Sequence, residues 1–201
     1  MTDLKNPQHS EKFYIQSEEL LHDSFSLGLK VIESGFRPDF IVAVWRGGTP
    51  VGIAVQELMK YVGIATDHIA IRTSYYDGID VTQNQVQVHN LGYLVENLNY
   101  DNSVLIVDDV FDRGRSIEAI IAELRRLTRR NLPKDIRIAT VWFKPEKNVT
   151  ALVPDYYVHE TNQWLIFPHE LEGLPPEEVV KCKPTVADLV VRAMAITKDS
   201  N

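Results

Sequence analysis

Val104-Leu-Ile-Val-Asp-Asp-Val-Phe-Asp-Arg-Gly-Arg-Ser116 holds the densest chemistry in the chain. Four apolar, mostly β-branched residues, Val104 to Val107, predict a strand buried on both faces. Two adjacent carboxylates, Asp108 and Asp109, end it. A short turn around Gly114 then opens a helix predicted from Ser116 to about Arg130. The unpaired N–H groups of a helix's first turn, at the positive end of its dipole, favour an anion. Gly114 tolerates positive φ and a close ligand, and Ser116 adds a hydroxyl at the helix start. Asp108 and Asp109 suit the hydroxyls of an attached sugar, or a divalent cation with its waters. The glycine and lysine spacing of a Walker loop is absent, as are the extra glycines of a dinucleotide fingerprint. Bare chemistry therefore points to a sugar-phosphate site with acids around the ribose.

The order of strand, glycine turn and helix recurs upstream. Phe40 to Trp45 predicts a second buried strand, Arg46-Gly47-Gly48-Thr49-Pro50 breaks it, and Val51 to Tyr61 resumes helical spacing. Ile69 to Arg72, Ile136 to Phe143 and Tyr156 to Val158 predict further strands. Helical stripes cover Ser17 to Ser34 and Thr185 to Lys198. The alternation predicts an α/β fold, a doubly wound and mostly parallel sheet flanked by helices. One domain is expected over residues 1–201, with a core of about 35–145. A small cap or hood over the sheet edge is expected at about 146–180, with the N-terminal and C-terminal helices packed on the core. In such sheets ligands sit beyond the carboxyl ends of the strands, where both unusual turns fall. The polar stretch Thr73 to Asn90 has the length of a lid.

Composition narrows the class. The 201 residues carry 21 Lys plus Arg against 28 Asp plus Glu, a formal charge of −7. That balance argues against broad nucleic-acid binding, which needs a basic surface. Arg125, Arg126, Arg129 and Arg130 end a helix, where cations suit the dipole and a solvated face. A single cysteine, Cys182, cannot form an internal disulfide. The polar start lacks a signal peptide's apolar run, and no apolar stretch approaches the roughly 20 residues of a membrane span. A cytoplasmic protein without membrane contact is expected. The histidines show no metal-ligand spacing, and with no second cysteine a zinc site is not expected.

The segment from Val104 to Ser116 resembles the phosphoribosyl pyrophosphate signature of type I phosphoribosyltransferases: apolar residues, two acids, two mostly apolar residues and Asp-Thr-Gly-x-Thr. Ile41-Val-Ala-Val-Trp-Arg-Gly-Gly-Thr-Pro50 resembles the family's pyrophosphate loop. Thr73-Ser-Tyr-Tyr-Asp-Gly78 resembles the start of its mobile active-site loop. Phe143-Lys144-Pro145, Asp155-Tyr-Tyr-Val158, and Trp164 with Pro168 and Glu170 resemble the purine end of microbial xanthine-guanine and hypoxanthine enzymes. The likeness spans about Phe40 to Glu170.

This resemblance implies that Asp108, Asp109, Asp112, Arg113, Gly114, Arg115 and Ser116 hold the ribose and its 5′-phosphate, with hydrated Mg²⁺ beside Asp108 and Asp109. It implies that Arg46, Gly47 and Gly48 bind pyrophosphate, and that the Trp45–Arg46 peptide is cis. Ser74, Tyr75 and Tyr76 would belong to the mobile loop. Lys144, Trp164 and Leu165 would meet the purine, Lys144 at its 6-oxo group. Glu170 would assist a second Mg²⁺, and Asp112 would accept the proton of the purine ring. The implied reaction displaces pyrophosphate from C1 of the ribose through an oxocarbenium-like state, giving a nucleoside monophosphate. Asp-Arg-Gly-Arg-Ser replaces the commoner Asp-Thr-Gly-x-Thr, which leaves the role of Arg113 open. Ile166 stands where the closest xanthine-guanine enzymes are polar, which makes hypoxanthine a candidate base.

The expected activity is Mg²⁺-dependent purine salvage on hypoxanthine, guanine or xanthine, in a homodimer or homotetramer. The alternatives are a non-catalytic sensor of phosphoribosyl pyrophosphate and a transferase for adenine or a pyrimidine.

Overall fold

A computed structural model describes residues 12–75 and 86–198. Along the chain lie β1 (Lys12–Tyr14), α1 (Ser17–Glu33), β2 (Phe40–Trp45), α2 (Gly48–Tyr61), β3 (Asp67–Tyr75) and β4 (Val86–His89). They are followed by α3 (Gly92–Asn97), β5 (Ser103–Phe111), α4 (Arg115–Thr128), β6 (Asp135–Phe143), β7 (Tyr156–Glu160), β8 (Trp164–Ile166), α5 (Pro176–Cys182) and α6 (Pro184–Lys198). Two compact units result. Among the described residues, the larger holds those within Glu18–Asn162, and the smaller joins residues 12–17 to residues 163–198.

The larger unit is built on a six-stranded sheet in the order β4-β3-β2-β5-β6-β7. All its pairings are parallel except that of β3 with β4. Its central strands are apolar on both faces because helices cover both. On one face Val42, Val44, Val104, Ile106 and Ile138 pack with Ile117, Ile120 and Leu124 of α4. On the other, α2 lies so close that a Cβ on Gly52 would stand 2.7 Å from the Cβ of Ala43. After β2 the chain winds outward to β3, and after β4 it returns to the opposite side of β2. The order of strands therefore reverses between β2 and β5, which is where an open sheet of this kind leaves a crevice.

Several elements differ from expectation. β5 runs through the paired acids to Phe111, because β6 continues to pair with it: Asp108 opposite Thr140, Val110 opposite Trp142, Phe111 opposite Phe143. The polar stretch from Thr73 contributes an antiparallel ribbon, with Thr73 to Tyr75 opposite Val86 to Val88. There Val86 and Val88 alternate with Gln87, the period of a half-buried strand, and Val88 packs against the core. Residues 146–162, expected in the cap, go with the larger unit, and β7 is the last strand of its sheet. α3 and α5 are too short for helical periodicity to reveal them.

In the smaller unit β1 and β8 form a parallel pair, Lys12 opposite Trp164 and Tyr14 opposite Ile166. Lys12 Nζ reaches Glu178 Oε1 at 2.7 Å, and the Tyr14 hydroxyl donates to the same carboxylate. Two short strands this far apart in sequence leave no local pattern to announce their pairing. Among the described residues no helix is long and apolar enough to cross a membrane.

Ile106 is fully buried at the centre of the sheet. Ile106→Ala is expected to lower the unfolding free energy by about 2–5 kcal/mol in urea titration. A loss below about 1 kcal/mol would show that this face does not carry the fold.

Candidate functional site

β2 pairs with β5 only from Phe40–Val104 to Ala43–Val107. Beyond that point β5 projects alone on this side, and the loop after β2 folds against it. A Cβ at Gly47 would stand 1.8 Å from Asp109 Oδ2, and one at Gly48 would stand 2.6 Å from the Val107 carbonyl oxygen. Only hydrogen fits in either place, so the two glycines are what allow the loop to lie on the acids. The Trp45–Arg46 peptide is cis, as the resemblance implies, and Arg46 is exposed.

Asp108, Asp112, Arg113, Gly114, Arg115 and Ser116, with Val110, Phe111 and Ile117, line a cavity of about 240 Å³ at the start of α4. Gly114 occupies the N-cap position in the left-handed region, φ 77° and ψ −9°. A Cβ there would stand 2.5 Å from the Thr150 hydroxyl oxygen and 2.7 Å from the Phe111 ring. The cap makes no side-chain hydrogen bond. The positive end of the helix dipole and its first-turn N–H groups are thus available to an anion.

The acids are not equivalent. Asp109 is 7% exposed and its Oδ1 accepts the Val110 N–H at 2.8 Å. Asp108 Oδ1 accepts the Asp109 N–H at 3.0 Å. Burial, and after it the charge and hydrogen bond of Asp109, push the Asp108 carboxyl well above the ordinary range; the Asp109 backbone N–H opposes them. At the cavity edge Lys144 Nζ lies 3.4 Å from Asp112 Oδ2, the lysine side chain 10% and the aspartate 44% exposed. The Lys144 N–H donates to the Phe111 carbonyl at 2.9 Å, which anchors the lysine backbone to the end of β5.

Residues 16–173 match the phosphoribosyl transferase domain family. The chain belongs to that family. It is 28% identical over 149 residues to the hypoxanthine-guanine phosphoribosyltransferase of Lactococcus lactis, covering 73% of this chain and 74% of that one. To the enzyme of the same name from Streptococcus mutans it is 24% identical over 163 residues, covering 79% and 84%. Among solved structures it resembles a purine phosphoribosyltransferase from Pyrococcus horikoshii, with a TM-score of 0.61 and 29% identity over 82% of this chain and 97% of that one.

In this phosphoribosyltransferase the residues expected at the phosphate, the ribose and the pyrophosphate lie at the end of β5, about the start of α4 and between β2 and the start of α2. Lys144 and Asp112, drawn from separate motifs, meet as a pair. Ser74 sits on β3, its Oγ 3.0 Å from His89 Nε2 across the ribbon. Tyr75 ends β3, while Tyr76, Asp77 and Gly78 lie outside the described residues. Trp164, Leu165 and Glu170 belong to the smaller unit. Trp164 is 57% exposed and Leu165 is buried in β8. Glu170 Oε2 accepts the Phe167 N–H at 2.9 Å.

Sequence reasoning missed Lys183. Within Lys181-Cys-Lys-Pro184 it has the pattern of a surface residue, yet it is buried. Its Nζ donates to the Phe167 carbonyl at 2.6 Å and to that of Pro168 at 3.2 Å. Burial lowers its pKa, opposed by the charges of Glu170 and Cys182.

The raised pKa of Asp108 means that the folded chain binds its proton more tightly than the unfolded chain does. Folding stability contributed by this group therefore falls as pH rises above the ordinary carboxylate range. In metal-free buffer, Asp108→Asn is expected to raise the unfolding midpoint relative to wild type at pH 7 and to make no such difference at pH 3. Equal midpoints at pH 7 would show that Asp108 ionises without cost.

Proposed function

We propose that this chain is a Mg²⁺-dependent purine salvage enzyme that transfers the 5-phosphoribosyl group of phosphoribosyl pyrophosphate to a 6-oxopurine. Hypoxanthine, guanine and xanthine are the candidate bases, and a nucleoside monophosphate and pyrophosphate are the products. The observation that carries this reading is the Lys144–Asp112 pair beside the anion cradle. In a 6-oxopurine, O6 and one imidazole nitrogen share an edge. With the free base protonated on that nitrogen, the edge offers an acceptor and a donor side by side. An ammonium and a carboxylate meet both. Adenine offers N6–H₂ in place of O6, which would set donor against donor at Lys144.

In this proposal the start of α4 binds the 5′-phosphate, Asp108 and Asp109 hold the ribose hydroxyls, and Arg46 with the N–H groups of Gly47 and Gly48 holds pyrophosphate. As the other imidazole nitrogen forms its bond to C1, the bond from C1 to pyrophosphate breaks and the ring proton passes to Asp112. The carboxylates favour the positive charge developing on the ribose. Asp108 and Asp109 also suit a divalent cation, since a cation would offset the burial and, after it, the repulsion from Asp109 that raise the Asp108 pKa. Among the described residues no three carboxylate, imidazole or thiol groups converge on a metal position. With two carboxylates beside it, Mg²⁺ would be held largely by waters and substrate oxygens. When bound, the ion would neutralise the departing pyrophosphate. Trp164 and Leu165 enter as base contacts on the resemblance of their segment. A cytoplasmic homodimer or homotetramer is part of the same reading and rests on the family likeness.

Pyrophosphate release should be measured with phosphoribosyl pyrophosphate and each base in turn, with Mg²⁺ and with EDTA. Turnover is expected with a 6-oxopurine and Mg²⁺ only. Binding of the sugar donor without turnover of any base would make the chain a sensor, and turnover of adenine or a pyrimidine alone would overturn the role given to Lys144. Asp112→Asn is expected to reduce kcat by about 10²–10⁴ while KM for phosphoribosyl pyrophosphate changes little. Wild-type kcat in this variant would remove Asp112 as the base.

A further inference from the structure

The anion cradle is supported from outside by the loop that follows β6. Val149 N–H donates to the Arg113 carbonyl at 3.2 Å. The Thr150 hydroxyl occupies the space that a side chain on Gly114 would need. Both contacts fall on the two residues whose backbone sets the entry into α4. What holds the loop in this shape is Asn148. Its Oδ1 accepts the Thr150 N–H and the Thr150 hydroxyl, each at 2.9 Å, and its Nδ2 donates to the Leu152 carbonyl at 2.7 Å. The Asn148 N–H donates to the Lys144 carbonyl at 3.2 Å, and the Leu152 N–H closes the loop on the Thr150 hydroxyl at 3.3 Å. Leu152 in turn packs against the core of the larger unit.

We infer that Asn148 is a positioning residue for phosphate binding, fixing Val149 and Thr150 so that they hold the Arg113–Gly114 backbone in the geometry that opens the α4 N-terminus to an anion. The inference rests on the proposed use of this cradle for a pentose 5-phosphate. Three features point to Asn148. It supplies both acceptor and donor to one loop, so no single backbone group can replace it. The Thr150 hydroxyl donates to Asn148 and accepts from Leu152, so its place under Gly114 is set by two bonds. Lys144 has its own anchor at Phe111, so loosening the loop should affect the phosphate end and spare the base end.

Ribose 5-phosphate binding, measured by titration calorimetry, reads the cradle without base or turnover. Asn148→Ala is expected to weaken it at least tenfold and to raise KM for phosphoribosyl pyrophosphate by a similar factor. KM for the base and kcat at saturation should stay within about threefold. Asn148→Asp keeps both acceptor bonds to Thr150 but turns an oxygen toward the Leu152 carbonyl in place of the amide donor, so it should restore only part of the affinity. Thr150→Val removes the hydroxyl at constant shape and should repeat the effect of Asn148→Ala, so it decides the matter if that variant does not fold. Unchanged ribose 5-phosphate affinity in the soluble variants would overturn the role of Asn148. So would equal losses at the sugar donor and the base, which are the mark of a general packing defect. Failure of the wild-type chain to bind ribose 5-phosphate would overturn the reading of the cradle itself, and the inference with it.

Discussion

β2 and β5 hydrogen-bond only as far as Ala43 and Val107, after which β5 goes on beside β6 alone. Everything at the candidate site depends on that parting. It sets Asp108 and Asp109 beside a loop where a paired strand would otherwise run. It also leaves room for the loop after β2, provided that Gly47 and Gly48 have no side chains to strike Asp109 and the Val107 carbonyl. The crevice is thus a property of unequal strand pairing, and the glycines are the local condition for filling it with backbone N–H groups.

In a chain with a formal charge of −7, cations and a helix dipole gather at the crevice beside the acids, which is what the proposed anionic substrates would require. Arg113 and Arg115 flank Gly114 at the start of α4, Arg46 follows β2, and Lys144 closes one side at Asp112. The acids divide along the crevice, with Asp108 and Asp109 deep and Asp112 paired with Lys144 at the edge. A buried carboxylate pair is costly by itself. The raised pKa of Asp108 is the sign of that cost, and a bound cation or ribose hydroxyls would relieve it.

Much of this was legible beforehand because it is local. The run from Phe40 to Trp45, the acids after Val107, the glycine turn and the amphipathic helix behind it all follow from the chemistry of neighbouring residues. The end of β5 was not. Asp108 and Asp109 look like a strand terminus in sequence, but pairing to Thr140 and Trp142 extends the strand past them. Lys183 was invisible for a similar reason, since a lysine among polar neighbours has no local feature that announces burial against the Phe167 and Pro168 carbonyls. Asn148 lies in a turn whose composition is ordinary, and its importance comes from where Arg113 and Gly114 arrive from another strand.

By itself, the sequence determined the α/β alternation, the two glycine-bearing segments after the apolar strands and the residue types gathered there. These depend on hydrophobic periodicity, on glycine's conformational freedom and on ionisable groups within a few positions of each other. Tertiary structure alone decided that Lys144 faces Asp112, that Gly47 touches Asp109, and that the loop of Asn148 supports Gly114. Those contacts join residues whose separation along the chain carries no signal, and they form only when parallel strands bring distant turns to one edge of the sheet.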